Sequence, residues 1–418
     1  MVEISTKVTG ATQIREERAA VGLVSAAHFF SHFYLLVIPF LFLSIQAEMG
    51  LSFTQLGLIT ALYAAGSAGG QFIMGIYVDR HGPRWFLILG LLTVALAYIA
   101  MGMATAYWML LALGFVAGLG DSVFHPADFS VITTAVHKDR LGRSYAVHAF
   151  AGFAGFGAAA LVVPFVNSLV NWHATLIILG GVGVFMTAII YFERHRFEMI
   201  SERSEKDRSK KSGSVMSDMK KFASMPPILM LFFFYVMVAW AGQGIQQFSP
   251  AALPILYGVG EAGVSTAVFG FLFSITVGIV VGGYLADKTT RFDLIASLGY
   301  GVSIALLIAV AMVVLPFSLV VAAFALAGFL SGLVMPSRDM LVSAVSPVGA
   351  AGKAFGFVNM GFGFGGMVSP VIFGLIMDTG FVPGLYYGTA LFMFFAIVTA
   401  LAAAKYALAT DGEPQPAG

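Results

Sequence analysis

The chain is a succession of long apolar runs separated by short polar turns. Twelve runs are long enough to cross a bilayer, whose hydrocarbon core takes about 20 apolar residues per helix. They cover about residues 21–46, 54–78, 84–104, 107–136, 143–170, 173–193, 226–256, 264–286, 292–315, 317–345, 351–377 and 381–406, numbered here as spans 1 to 12. Strands of a membrane barrel would be about half as long and would alternate in polarity. The pattern therefore predicts an all-α polytopic membrane protein with twelve transmembrane helices.

The turns between the spans sort by charge. Of 22 lysines and arginines, all but Arg338 lie in the N-terminal tail, in a central linker, or in every second turn, counting Lys353 and Lys405 at helix ends. The turns after even-numbered spans carry Arg80 and Arg84, then Lys138, Arg140 and Arg143, then Lys288 and Arg291, then Lys353. The alternate turns, from Glu48-Met-Gly to Asp378-Thr-Gly, carry none. Basic turns resist translocation, so both termini and the basic turns are expected in the cytoplasm, with the chain in the inner (plasma) membrane. Arg338 lies inside span 10, and a charge at that depth needs a reason.

Residues 194–225 interrupt the apolar pattern with a highly charged stretch, read as a solvated linker with room for a short amphipathic helix. The expected organisation is a cytoplasmic tail (1–20), a six-helix bundle (21–193), the linker (194–225), a second six-helix bundle (226–406) and a C-terminal tail (407–418). The two halves repeat. Gly75-Ile-Tyr-Val-Asp79-Arg80 closes span 2 and Gly283-Tyr-Leu-Ala-Asp287-Lys288 closes span 8, 208 positions apart. Pro126 and Pro336 are separated by 210, as are Gly142-Arg143 and Gly352-Lys353. A nearly constant offset argues for two pseudo-symmetric bundles in the same orientation, related by an axis along the membrane normal.

Composition narrows the function classes. Hydrophobic residues make up 59% and charged residues 10% of the chain, against about a quarter charged in soluble domains. The net charge of +1 implies neither nucleic acid nor a polyanionic partner. The absence of cysteine excludes disulfides, thiolate metal sites and cysteine nucleophiles. No phosphate-cradling Gly-x-x-x-x-Gly-Lys-Ser/Thr occurs, so nucleotide hydrolysis is not expected. The polar first twenty residues lack a small-residue cleavage site and read as a tail, not a removed signal peptide.

Twelve helices in two parallel halves, with Gly75-x-x-x-Asp79-Arg80-x-Gly82-x-Arg84 between spans 2 and 3, resemble the major facilitator superfamily over the whole chain. The stretch Gly120 to Pro126, ending Phe124-His125-Pro126, further resembles the fosmidomycin-resistance branch, over a much shorter length. Span 4 lacks the Arg-x-x-Gln-Gly run of many proton-coupled members. Span 5 has Gly152, Gly155, Gly157 and Pro164 without the full drug-antiporter spacing. The resemblance implies alternating access about a central site lined by spans 1, 4, 7 and 10. It also implies that Asp79 meets the N-terminus of span 11 at Ala351-Gly352-Lys353, where free amides and the helix dipole favour a carboxylate. Asp287 against Gly142-Arg143 would be the equivalent contact. Arg80 and Arg84 belong to the same gate motif or act as topology anchors.

Polar groups within the membrane concentrate on the same four helices. Asp121, His125 and Asp128 in span 4 are spaced i, i+4, i+7 and share one face. A proton site on Asp121 or His125 and a structural role for all three are both open at this point. In span 10, Arg338 occupies the repeat position of Asp128, two residues after the proline, which suggests an ion pair across the cytoplasmic gate. The rival readings are an anion clamp and local neutralisation by Asp339. His28 and His32 in span 1 are candidate substrate or proton contacts; two ligands of one type fall short of a metal site, and none is expected. Gln243, Gln246 and Gln247 in span 7 would face a polar solute. His148 and Asn359 are weaker candidates. The resulting expectation is a monomeric secondary active transporter without cofactor, moving a small organic solute, leaning to an organic anion, with protons as the coupling ion. The alternative is proton-antiport efflux of a drug or antibiotic. An enzyme is not expected.

Overall fold

A computed structural model describes residues 10–197, 215–286, 288–289, 291–347 and 351–410. Among the described residues there is no β-strand; the chain is a set of long helices. Span 1 is Gly10–Phe40 continued by Phe42–Met49; span 2 is Phe53–His81, bent by 46° near residue 72. Span 3 is Arg84–Met101, span 4 is Tyr107–Asp121 followed by Phe124–Ala135, span 5 is Leu141–Leu169 and span 6 is Trp172–Phe192. Span 7 is Pro226–Gln243, a π-helical turn Gly244–Phe248, then Ser249–Tyr257. Spans 8 to 12 are Glu261–Ala286, Phe292–Ala311, Phe317–Val345, Ala351–Asp378 and Gly384–Thr410. Among the described residues, eleven helices are long and apolar enough to cross a membrane, and the bent span 2 makes twelve.

The helix of span 1 begins well before residue 21, where the apolar run starts. Its extra turns are held by charge pairing. Glu17, 6% exposed, accepts Arg140 Nε at 3.0 Å and Nη2 at 2.7 Å, and Glu16 meets Arg196 at 2.5 Å. In the linker, the short helix Val215–Ala223 buries Phe222 against Phe357, ring centroids 6.1 Å apart. Residues 198–214 lie outside the described residues.

Most helix pairings are shared by the two halves, the close packing of span 7 on span 12 apart. Span 1 packs on 5, 2 on 4, and 3 on 4 and 6; likewise span 7 packs on 11, 8 on 10, and 9 on 10 and 12. Small residues make these crossings close, as membrane helices require. A Cβ on Gly118 would meet the Tyr63 main chain, and one on Gly332 would meet that of Ile275, the same 2–4 and 8–10 crossing in each half. Gly50 ends span 1 at φ 66° and Gly258 ends span 7 at φ 63°, again 208 positions apart. Glycine reaches this left-handed conformation without Cβ strain.

The halves meet through spans 2 and 11 and through spans 5 and 8. These contacts lie toward the end free of lysine and arginine. Gly57 faces Pro370, Gly374 faces Thr54, Gly366 faces Ala64 and Gly157 faces Phe269. At the rim, Asn167 Nδ2 donates to Glu261 Oε1 at 3.2 Å, and Phe42 meets Phe248 at 5.4 Å between centroids. Toward the basic end fewer such contacts are found among the described residues. Gly75 approaches only Pro126 of its own half, Gly356 has nothing within 4 Å, and Tyr77, Phe150, Tyr284 and Met360 are exposed. Among the described residues, the halves are joined closely at the lysine-free end and less closely at the basic end.

Candidate functional site

Span 4 breaks after Asp121, where Ser122 Oγ donates to the Leu119 carbonyl at 2.7 Å. The break sits at membrane depth and turns Asp121 toward spans 1 and 2. Its Oδ1 accepts the Ser31 hydroxyl at 2.5 Å and its Oδ2 accepts the Ser67 hydroxyl at 2.7 Å; the residue is 8% exposed. Tyr63 and His125 flank it. Tyr34 fixes span 1 by donating to the Leu179 carbonyl at 2.7 Å, and Tyr98 donates to the Tyr34 carbonyl.

One turn further along span 4, four imidazoles gather. His28 stacks on His148 with centroids 3.9 Å apart and 20° between planes. His28 lies 4.2 Å from His32 and 5.2 Å from His125 by the same measure. Gly152 makes the room: a Cβ there would sit 2.8 Å from His28 Nε2 and 2.9 Å from His32 Nδ1. Asp128 closes the group, its Oδ2 3.5 Å from His28 Nδ1 and 3.7 Å from His148 Nε2. Asp128 has no exposed surface.

The expected Asp128–Arg338 pair is not formed. Asp128 is enclosed by spans 1, 4 and 5 of its own half, while Arg338 is held within the other. Arg338 Nε donates to Asp339 Oδ1 at 2.9 Å, and Asp339 in turn accepts the Tyr235 hydroxyl at 2.8 Å. The guanidinium lies over the Tyr235 ring at 4.4 Å and the Phe362 ring at 5.2 Å. The helical register turns Asp128 toward spans 1 and 5 and lays Arg338 against spans 7 and 11.

In span 7, Gln247 donates to Gln243, with Gln247 inside the π-helical turn and Gln246 partly exposed beside it. Gln243 and Gln247 line a small cavity with Thr60, Tyr63 and Tyr98 of the first half. π-turns recur at functional sites because they re-aim side chains. At the basic end, Asp79 and Arg143 are exposed, and Arg84 lies over Trp85 at 4.9 Å. The side chains of Ala351 to Lys353, the expected partners of Asp79, lie outside the described residues, as does Asp287. Arg80 is exposed beside Asp79.

Sequence reasoning picked out His28, His32, Asp121, His125 and Asp128, which the fold brings together against span 1. It ranked His148 low, since a histidine among the glycines of span 5 carries no spacing signal. It missed Ser31, Ser67, Tyr63, Tyr235 and Phe362, ordinary residue types in membrane helices. It also missed Asp378, which stood only as a turn residue. Asp378 caps the start of span 2 from the opposite half, Oδ1 accepting the Phe53 amide at 2.6 Å and Oδ2 the Thr54 amide at 2.9 Å.

Two matched bundles joined closely at one end, with buried polar clusters within the membrane, are the arrangement of a membrane transporter. The Major Facilitator Superfamily profile matches residues 22–318 and again 241–417, and the chain belongs to that family. It is 23% identical to the fosmidomycin resistance protein of Escherichia coli over 380 residues, 88% of each chain. It is 22% identical to a D-galactonate transporter of Escherichia coli, covering 83% of this chain and 86% of that one. A probable sulfoacetate transporter of Cupriavidus necator is 25% identical over 80% of this chain and 81% of its own. Among solved structures, a bacterial homologue of the human lysosomal transporter Spinster, in an inward-facing and unoccupied conformation, superposes with a TM-score of 0.73. That match has 16% identity and covers 96% of this chain and 99% of that one. The protein is a membrane-embedded transporter, not an enzyme.

Proposed function

We propose that this transporter carries a small organic anion across the cytoplasmic membrane, with protons as the coupling ion and the basic end in the cytoplasm. The observation that carries the reading is Arg338, a mostly buried guanidinium in the second half, laid over two aromatic rings. Arginine there offers a fork of donors to a carboxylate, sulfonate or phosphonate, and its charge survives burial. Asp339 takes one donor, Nε. The relatives named for galactonate and sulfoacetate support an anionic solute.

The coupling proton is assigned to Asp121. As a carboxylate it accepts two hydroxyl donors from spans 1 and 2 and has almost no solvent contact. As a neutral acid it releases that demand. The change of grip falls on Ser31 and Ser67, so protonation alters how spans 1, 2 and 4 pack. His125, Tyr63 and Tyr98 are the titratable groups facing it from spans 4, 2 and 3. Gln243, Gln246 and Gln247 complete the solute wall without fixing charge. Sealing of the basic end would bring Asp79 and Arg80 against the start of span 11.

The test uses purified protein in liposomes, with sugar acids, sulfonates and phosphonates offered against neutral sugars and amines. Accumulation of an anion is expected under a proton gradient and is expected to vanish with a protonophore. Undiminished accumulation would remove the proton, and preference for neutral or cationic solutes would remove the anion. Imposing the gradient in either direction separates uptake from efflux, and efflux of an antibiotic would favour the resistance branch.

A further inference from the structure

We propose that His28, His125 and His148, with Asp128, form a binding site for one divalent first-row transition-metal ion of the zinc, cobalt or nickel kind. The ligand nitrogens of the three histidines all lie within 4.8 Å of one another. Imidazole nitrogen binds such ions at about 2.0–2.1 Å, which puts neighbouring ligands about 3.3 Å apart. Side-chain rotations of about 1 Å close the difference. Asp128 Oδ2 is already 3.5 Å from His28 Nδ1 and 3.7 Å from His148 Nε2.

A second observation points the same way. His28 and His148 are each 3% exposed and Asp128 is 0% exposed. Yet His28 Nδ1, both nitrogens of His148 and both oxygens of Asp128 lack any hydrogen-bond partner. Buried polar atoms in native proteins are almost always paired, and an unpaired buried carboxylate is costly. A neutral imidazole has one donor and one acceptor nitrogen, and no hydrogen bond among these rings or to Asp128 satisfies the atoms named. A divalent cation would engage three nitrogen lone pairs and the carboxylate together. Three imidazoles and one carboxylate, with no thiolate, suit zinc and its neighbours over magnesium or calcium. His125 is the partly exposed member and gives the ion its way in. The ligands come from spans 1, 4 and 5, so the ion would tie together the three helices of the first half that border the central space. The proposal does not rest on the proton reading, whose Asp121 is held by hydroxyls and is not among the ligands.

The test takes full-length protein purified on a histidine-free tag and stripped with chelator. Titration with Zn²⁺ by calorimetry should give one ion per chain. Co²⁺ should give the intense visible absorption of four-coordinate geometry. His148→Ala and Asp128→Asn should each weaken binding by at least about tenfold, and His173→Ala, at the opposite end, should leave it unchanged. Absence of stoichiometric binding in the unaltered protein would overturn the proposal, as would a weak octahedral Co²⁺ spectrum. Retained affinity in both ligand variants would also overturn it. If His148→Ala fails to fold, the cobalt spectrum of the unaltered protein and Asp128→Asn decide.

Discussion

Asp378, the last residue of span 11, caps span 2 at Thr54, its Oδ2 2.9 Å from the Thr54 amide nitrogen and its Oδ1 2.6 Å from that of Phe53. The first amides of a helix have no partner within it. Here one bundle supplies them to the other, and Ser52 and Gln55 complete the same helix start with a capping box. The carboxylate is therefore a latch of the lysine-free end. It is the counterpart there of the contact expected of Asp79.

Loss of that latch should favour opening of the lysine-free end. Asp378→Asn removes one charge-assisted acceptor at a partly exposed site, worth about 1 kcal/mol, or about a fivefold change in the equilibrium between the two ends. The chain has no cysteine, so Thr105→Cys and Phe381→Cys can carry a unique pair of spin labels. The distance distribution between them should gain a longer component in Asp378→Asn. An unchanged distribution would show that the cap does not govern closure.

Arg338→Lys should behave nearly as badly as Arg338→Ala. Lysine keeps the charge but has neither the planar fork nor the stacking surface over Tyr235 and Phe362. Each variant is expected to lower the affinity for the transported anion by about 10-fold or more, at about 1.4 kcal/mol per tenfold. Competition binding measures it. Full affinity in Arg338→Lys would reduce the residue to a point charge.

Asp121→Asn should separate transport from its driving force. The amide keeps the size and can still accept from one hydroxyl, but it does not titrate. Exchange of solute across the membrane should persist while accumulation against a gradient disappears. Intact accumulation in this variant would place the proton elsewhere.

At the lysine-free end, Glu48 accepts His173 Nε2 at 2.8 Å and Trp172 Nε1 at 2.7 Å. The bond from His173, then that from Trp172, holds its carboxyl below the usual range. A group whose folded pKa is depressed adds stability above its unfolded pKa, about 4.3, and loses it as pH falls through the folded value. Melting temperature in detergent should therefore drop on acidification below about pH 4.3. Glu48→Gln should flatten that limb and leave the neutral-pH profile in shape. An identical acid limb in the variant would remove the bond from the pH response.

The architecture was legible because membrane insertion writes itself into the chain. The basic turns recur with every second crossing, and Asp79–Asp287, Pro126–Pro336 and Gly142–Gly352 keep a nearly constant offset. The candidate cluster was half legible. Asp121, His125 and Asp128 stood out because titratable groups are expensive in lipid, and their helical spacing put them on one face. Their partners did not stand out. Repeat symmetry places Asp128 and Arg338 at matching positions, but it says nothing of how far each helix is rotated or splayed. Asp128 thus met histidines of its own half, and Arg338 met Tyr235. His148 and Ser67 reach the cluster from spans 5 and 2, outside the four helices that the resemblance placed around the central site. Asp378 looked like a turn because a cap across two bundles leaves no local spacing.

The π-helical turn Gly244–Phe248 places one residue more in that stretch of span 7 than an α-helix would. Each residue in an α-helix advances the face by about 100°. Deleting one there would restore α-helical winding and re-aim the side chains between Gln243 and Ser249, carrying Phe248 off Phe42. The two halves would then lose their aromatic seam without the change of any side chain's chemistry. Closure of this end depends on a winding number, so a single-codon deletion at Ile245 is the smallest alteration expected to leave the helix intact and the protein leaking.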